Sequence, residues 1–152
     1  MTETPAKPLT GGCLCGAVHY EITAEPILTG HCYCEDCRRT SGTAHGTHVM
    51  VPEESFAMTG ALSAYDRPAD SGNMVSRRFC PTCGSAVFST NSGMPGFSFV
   101  RASSLDDLDA VTPSAVVYAS RAPRWDPVDP SLPSFAEMPT EAERQAMTSQ
   151  EG

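Results

Sequence analysis

Hydrophobic and polar positions along this chain alternate in short runs with the period of two that marks a half-buried β-strand. In residues 17–23, AVHYEIT, the side chains of Val18, Tyr20 and Ile22 fall on one face and His19, Glu21 and Thr23 on the other. Similar short strands are predicted over residues 47–51, 74–79, 86–89, 97–100 and 115–119. Turn-rich pieces such as RPADSGN and TNSGMPG separate them, with Gly, Pro, Asn, Asp and Ser supplying the backbone angles a reversal needs. The 12 Gly and 13 Pro keep segments short, which favours strands over long helices, and the resulting fold class is all-β.

Two further stretches break the alternation. Ser104 is followed three residues later by Asp107, a helix-start pattern that opens one turn. Beyond Ala119, Pro123, Pro127, Pro130, Pro133 and Pro139 prevent regular structure, while Trp125, Leu132 and Phe135 predict a tail that docks on the body. At 152 residues the chain suits one domain with its own core.

Charge narrows the choice of partners. The net charge of −8 opposes contact with phosphate backbones, so nucleic acid is excluded as a partner. Residues 1–10 contain no apolar core of a signal peptide, and no stretch reaches the length of a membrane span. No membrane is therefore expected as a partner, and a cytoplasmic location is. There thiols stay reduced, and clustered cysteines point to metal or catalysis; an odd count of seven argues further against a disulfide framework.

Those cysteines form the strongest pattern in the chain. They read C-x-C at Cys13 and Cys15, C-x-C-x-x-C at Cys32, Cys34 and Cys37, and C-x-x-C at Cys80 and Cys83. Zinc favours four thiolates in a tetrahedron, and cysteines two or three residues apart on a tight turn can face one ion. The run Phe79-Cys80-Pro81-Thr82-Cys83-Gly84 is a zinc-knuckle pattern, and Cys13-Leu14-Cys15-Gly16 completes it to a closed, structural four-sulfur site. Cys32, Cys34 and Cys37 then hold a second ion from one loop. Three ligands leave a coordination position open, which a catalytic site requires, and three thiolates suit it to a substrate sulfur. Two zinc ions are expected, the second more labile.

Other readings of these residues stay open. The cysteines can be small buried hydrophobes, or the trio can take His31, His45 or His48 as a fourth ligand and form a second structural site. A trio oxidised to a disulfide would make a redox sensor. His19 lies on the polar strand face as a solvated imidazole, and His45 and His48, three apart near a strand, cannot both easily meet one ion. Arg38 and Arg39 either screen the trio's charge or receive a substrate carboxylate, for which guanidinium is geometrically suited.

The runs Gly12-Cys13-Leu14-Cys15-Gly16-Ala17-Val18, Cys32-Tyr33-Cys34-Glu35-Asp36-Cys37-Arg38-Arg39 with Ser41-Gly42, and Arg78-Phe79-Cys80-Pro81-Thr82-Cys83-Gly84 carry a resemblance. Ser103 to Asp107, Trp125 and Leu132-Pro133 add to it. Together they resemble the glutathione-dependent formaldehyde-activating family, which includes centromere protein V-like members. The resemblance implies a β-tent of short antiparallel sheets joined at a structural zinc on Cys13, Cys15, Cys80 and Cys83, and a catalytic zinc on Cys32, Cys34 and Cys37. It implies a carbon–sulfur lyase that adds a small thiol such as glutathione to formaldehyde or another small aldehyde. The non-enzymatic alternative is a zinc-binding scaffold or interaction module. Tyr33 departs from the many members that carry histidine there. The implied organisation is a disordered segment 1–10, a zinc-binding domain 11–135 and a polar tail 136–152.

Overall fold

The computed structural model describes residues 7–143. The chain divides into two compact units, Met1–Thr29 with Thr47–Pro113 and Gly30–Gly46 with Ser114–Gly152, where the length suggested one domain. The chain crosses between units inside two strands, β3 (Leu28–Cys32) and β4 (Gly46–Pro52).

The first unit is built from strands. β1 (Leu9–Gly12), β2 (His19–Ile22) and β5 (Phe56–Thr59) form an antiparallel sheet in the order β1-β2-β5. A second run pairs β4 with β9 (Phe97–Arg101), β8 (Ala86–Asn91), β7 (Met74–Phe79) and β6 (Ser63–Pro68), every pairing antiparallel. The alternation read in β2 is the one observed: Tyr20 and Ile22 are buried, while His19 and Glu21 are exposed. Val49 and Val51 of β4, Val87 of β8 and Val100 of β9 join Val18, Tyr20 and Ile22 in one core. Phe56 bridges Tyr20 and Phe88, with ring centroids 5.0 Å and 4.9 Å away.

Four strands, β1, β3, β5 and β6, lie outside the predicted runs. β6 is exposed along nearly its whole length and ends in Pro68, so only its pairing with β7 makes it a strand. β1 contains two glycines and reads as a turn. They are required by space, since a Cβ on Gly11 would strike the Tyr20 hydroxyl and one on Gly12 the Val18 carbonyl. β1 also takes Leu9 and Thr10 out of the segment expected to be disordered: the Asp106 N–H donates to the Thr10 carbonyl at 2.9 Å and the Thr10 hydroxyl to the Asp106 carboxylate at 2.8 Å. Residues 1–6 of that segment lie outside the described residues. The turn expected at Ser104 is displaced: Ala102–Ser104 and Leu108–Ala110 form separate 3-10 turns, the second capped by Asp107.

In the second unit Gly30–Cys32 of β3 runs parallel to β10 (Ala115–Val117), so the β structure is mixed and not purely antiparallel. A parallel pair needs a long connection, and most of the chain separates these strands. Helix α1 (Glu35–Arg39) follows at once. Tyr33, Ala44 and Val116 form a small core against Tyr118, Ala122, Val128 and Leu132. The proline-rich tail lies along β10: Val116 N–H donates to Pro133, Phe135 N–H to Val116 and Ala119 N–H to Phe135, each at 2.9 Å. Leu132 and Phe135 pack as expected, whereas Trp125 is 73% exposed. It sits at the tip of a turn closed by Asp126 N–H on the Pro123 carbonyl, which points it outward. Of the segment 136–152, Ala136 and Glu137 are hydrogen-bonded to Ser120 and Tyr118, and residues 144–152 lie outside the described residues. No helix among the described residues is long and apolar enough to cross a membrane.

Candidate metal centres

Two sulfur clusters stand out among the described residues, one in each unit. In the first unit Cys13 and Cys15 occupy the turn between β1 and β2, and Cys80 and Cys83 the turn between β7 and β8. Their four sulfurs lie within 4.8 Å of one another. Cys13 to Cys15 is 3.6 Å and Cys15 to Cys80 is 3.8 Å, across a sequence separation of 65. A tetrahedron with zinc–sulfur bonds of about 2.3 Å has edges of about 3.8 Å, whereas a disulfide would need about 2.05 Å. The donor set therefore fits a tetrahedral metal such as zinc, and the thiols are free.

In each turn, the glycine directly after the second cysteine shapes the backbone for this purpose. Gly16 and Gly84 have φ of 85° and 78°, and a Cβ on either would meet nothing within 4 Å. Glycine is thus demanded there by backbone conformation and not by crowding. The register between β7 and β8 slips at Arg78 and Phe79, a bulge that bends the end of β7 immediately before Cys80.

Ser85 joins the two turns. Its hydroxyl accepts from the Leu14 N–H at 3.1 Å and donates to the Cys83 sulfur at 3.2 Å. That hydroxyl, with the Ser85 backbone N–H, holds the Cys83 thiol down to about 5. Cys15 is pushed up to about 11, because the Ala17 N–H that favours its thiolate is outweighed by the neighbouring Cys13 sulfur and further sulfurs of the cluster. Four thiolates this close would need a cation among them. Nothing in the cysteine pattern singled out Ser85; the signal is its place just after the second knuckle.

The second cluster is local. Cys32 ends β3, Cys34 caps the start of α1, and Cys37 lies inside the helix. Their sulfurs too lie within 4.8 Å of one another. Cys37 N–H donates to the Cys34 sulfur at 3.3 Å, so the helix cap also orients a donor. Cys32 and Cys37 are buried, 9% and 7% exposed, and Cys34 is the half-exposed member.

The three sulfurs compete for charge. Cys34 is held down to about 2 by donation from Cys32 and Cys37 and by the Cys37 and Asp36 N–H groups. Cys32 is pushed up to about 12, foremost by Cys34, and Cys37 is pushed up by Cys32 and then Cys34. The protein's own donors favour charge on Cys34 over Cys32 and Cys37, and a metal ion would let all three ionise. The cluster fits such an ion, and among the described residues it gathers no histidine nitrogen within that radius.

The remaining candidates divide. His19 is exposed, as its strand position foretold. His48 is half-buried on β4 opposite Arg101 and belongs to neither cluster. Arg38 and Arg39 are exposed in the last turn of α1, and Arg39 pairs with Glu35 at 3.4 Å. His45 lies beside the trio's loop: its ring packs on Tyr33 with centroids 4.9 Å apart and edge-on to His31 at 4.7 Å. Its Nδ1 meets Asp126 Oδ2 at 2.5 Å, and the Tyr33 hydroxyl donates to Asp126 Oδ1 at 3.3 Å. His31 is pushed down by burial and by His45. Sequence reasoning passed over Asp126, which lies 81 positions from His45 in a proline-rich tail.

Residues 8–121 match the model of a family described as glutathione-dependent formaldehyde-activating enzyme. The chain belongs to this family. The match spans both clusters, so each cysteine discussed above falls inside the family domain. Among solved structures, a Rhodobacter sphaeroides protein determined as a structural genomics target has the same fold, with TM-score 0.54 and 20% identity over 83% of this chain and 99% of that one.

Proposed function

We propose that the chain is a zinc-dependent carbon–sulfur lyase that adds a small thiol, such as glutathione, to formaldehyde or another small aldehyde. Cys32, Cys34 and Cys37 hold the zinc at which this takes place, and Cys13, Cys15, Cys80 and Cys83 hold a structural zinc. The observation that carries the reading is the donor count: four sulfurs in one cluster, three and no imidazole in the other. Family membership supports the reaction class. A zinc ion in the three-sulfur site would supply an open position for a thiol sulfur and lower that thiol's pKa.

The protein's own part is to fix the donors and limit access. Cys37 N–H holds Cys34, while burial of Cys32 and Cys37 leaves the Cys34 side of the cluster as the accessible one. Arg38 and Arg39, exposed in the last turn of the same short helix, are the groups that receive a thiol substrate's carboxylates. Because formaldehyde and thiols combine unaided, most of the catalytic gain comes from holding the two together and handling one proton.

The test is zinc content by elemental analysis, before and after glutathione, on the wild type and on Cys34→Ser, with adduct formation followed by NMR of labelled formaldehyde. Two zinc ions in the wild type and one in the variant, with adduct formation above the buffer rate only in the wild type, is the expected outcome. Two firmly held ions, indifferent to glutathione and without acceleration, would leave a zinc scaffold in place of an enzyme.

A further inference from the structure

We propose that His45, oriented by Asp126, is the proton carrier of the thiol addition, taking the proton from the thiol and returning it to the adduct's new hydroxyl. The proposal rests on the reading of the three-sulfur cluster as the place of that addition. Tyr33 separates Cys32 from Cys34, and its ring lies against His45 at 4.9 Å, tilted by 39°. His31, immediately before Cys32, meets the other side of the imidazole edge-on at 4.7 Å and 76°. The imidazole is therefore clamped by the two side chains that flank Cys32.

Asp126 then selects which nitrogen is active. Its Oδ2 engages His45 Nδ1 at 2.5 Å, and its Oδ1 accepts from Tyr33 Oη at 3.3 Å, so both carboxylate oxygens are committed to the same assembly. A carboxylate on Nδ1 retains the proton there and leaves Nε2 as the basic nitrogen. Side-chain exposures of 23% for His45 and 19% for Asp126 allow a small substrate to reach the ring without flooding the pair with water. Among the described residues, the charged and titratable groups facing His45 are His31, Tyr33 and Asp126, with Asp129 acting on His31 from the tail.

The proton balance closes without another reactant. The thiol gives its proton to Nε2 and its sulfur lone pair forms the carbon–sulfur bond. The carbonyl π pair moves to oxygen, and oxygen takes the proton back from Nε2. Thiol and aldehyde become one hydroxymethyl thioether, and His45 ends as it began. A positioned acid–base group of this kind contributes about 10²- to 10⁴-fold.

Glutathione and formaldehyde are the probes, and the two-zinc protein is used throughout, with metal content checked for each variant. His45→Gln is expected to lower kcat by about 10²-fold or more, to remove the imidazole limb from the pH profile of kcat/KM, and to leave zinc content and glutathione affinity within about threefold. Asp126→Asn tests positioning apart from catalysis. In ¹⁵N spectra the wild-type His45 proton is expected on Nδ1, and in this variant it moves to Nε2, with a lower kcat. A wild type with the His45 proton on Nε2, or a His45→Gln variant at full rate in a protein that accelerates addition, overturns the proton-carrier role alone. A wild type that holds two zinc ions and accelerates nothing overturns the proposed function, and this role with it.

Discussion

The two sulfur clusters use nearly the same parts in opposite ways. The four-sulfur cluster draws its members from two hairpin turns 65 positions apart and ties the β1-β2-β5 sheet to the β7-β8 hairpin. The three-sulfur cluster takes all its members from one strand end and one helical turn. A bond set that closes a long loop contributes to folding, whereas a local set constrains little that the strand and helix have not already fixed. Exposure follows another logic. In the four-sulfur cluster Cys80 is fully buried in the main core but Cys15 is exposed and Cys13 and Cys83 half-buried, whereas in the trio Cys32 and Cys37 are buried and only Cys34 is half-buried.

The largest effect that would break this contrast is on stability. Replacing Cys80 by serine removes a fully buried donor from a four-sulfur site whose metal, in small zinc modules, contributes about 10–16 kcal/mol of apparent folding energy. Cys80→Ser is expected to lose one zinc and the cooperative thermal transition seen by circular dichroism. Cys34→Ser is expected to lose one zinc while its unfolding free energy stays within about 1 kcal/mol of the wild type. Equal destabilisation by the two variants would mean that the trio is structural as well.

Proton release separates the clusters next. In the metal-free trio Cys34 is ionised, while Cys32, pushed up to about 12, and Cys37, pushed up likewise, keep their protons at neutral pH. Raised thiol pKa values favour the neutral forms, so a metal entering the trio must expel two protons. Its affinity is expected to rise by about 100-fold per pH unit from pH 7 to pH 9 and to fall as pH drops. Calorimetry of metal binding in buffers of different ionisation enthalpy counts those protons directly; a count near zero would mean that the trio is already ionised.

A smaller effect tests the turn chemistry. Gly84 sits at φ 78° with open space where a Cβ would go, so the only penalty of Gly84→Ala is that of left-handed backbone. The expected cost is about 1–2 kcal/mol in chemical denaturation, with metal content unchanged. A neutral result would show that the knuckle relaxes once the metal is bound.

How far the sequence anticipated these features depends on how local each one is. β2, β4 and β9 were legible because their buried residues alternate within a single strand, and β7, β8 and β10 because they are short runs bounded by turn-rich pieces. The sulfurs gather into the two groups that the C-x-C and C-x-x-C spacings suggested, since such spacings are local signatures of metal turns. What escaped depends on a distant partner. β1 exists where Gly11 and Gly12 pass close to Tyr20 and Val18, and β6 exists only by its pairing with β7. Asp126 gains a role only when the tail brings it to His45, and Trp125 faces solvent because that same turn needs Asp126 inward. The division into two units was hidden for a related reason: each unit is assembled from two separated stretches.

The smallest expected effect concerns Arg39, and it asks whether the helix carrying the trio also carries substrate contacts. Its ion pair with Glu35 spans one turn at 3.4 Å with side chains 66% and 51% exposed, so screening by water leaves it no more than about 0.5 kcal/mol. Arg39→Ala is therefore expected to unfold within about 0.5 kcal/mol of the wild type. If the guanidinium receives a carboxylate of the thiol substrate, the same variant raises KM for glutathione several-fold and leaves KM unchanged for a thiol without carboxylates, with kcat preserved for both. Arg38→Ala, on a neighbouring exposed position of the same turn, tells which of the two guanidiniums is used. Were neither variant to distinguish the two thiols, both arginines would be screening charges for the thiolates beneath them, and substrate selection would have to come from the Cys34 side of the cluster.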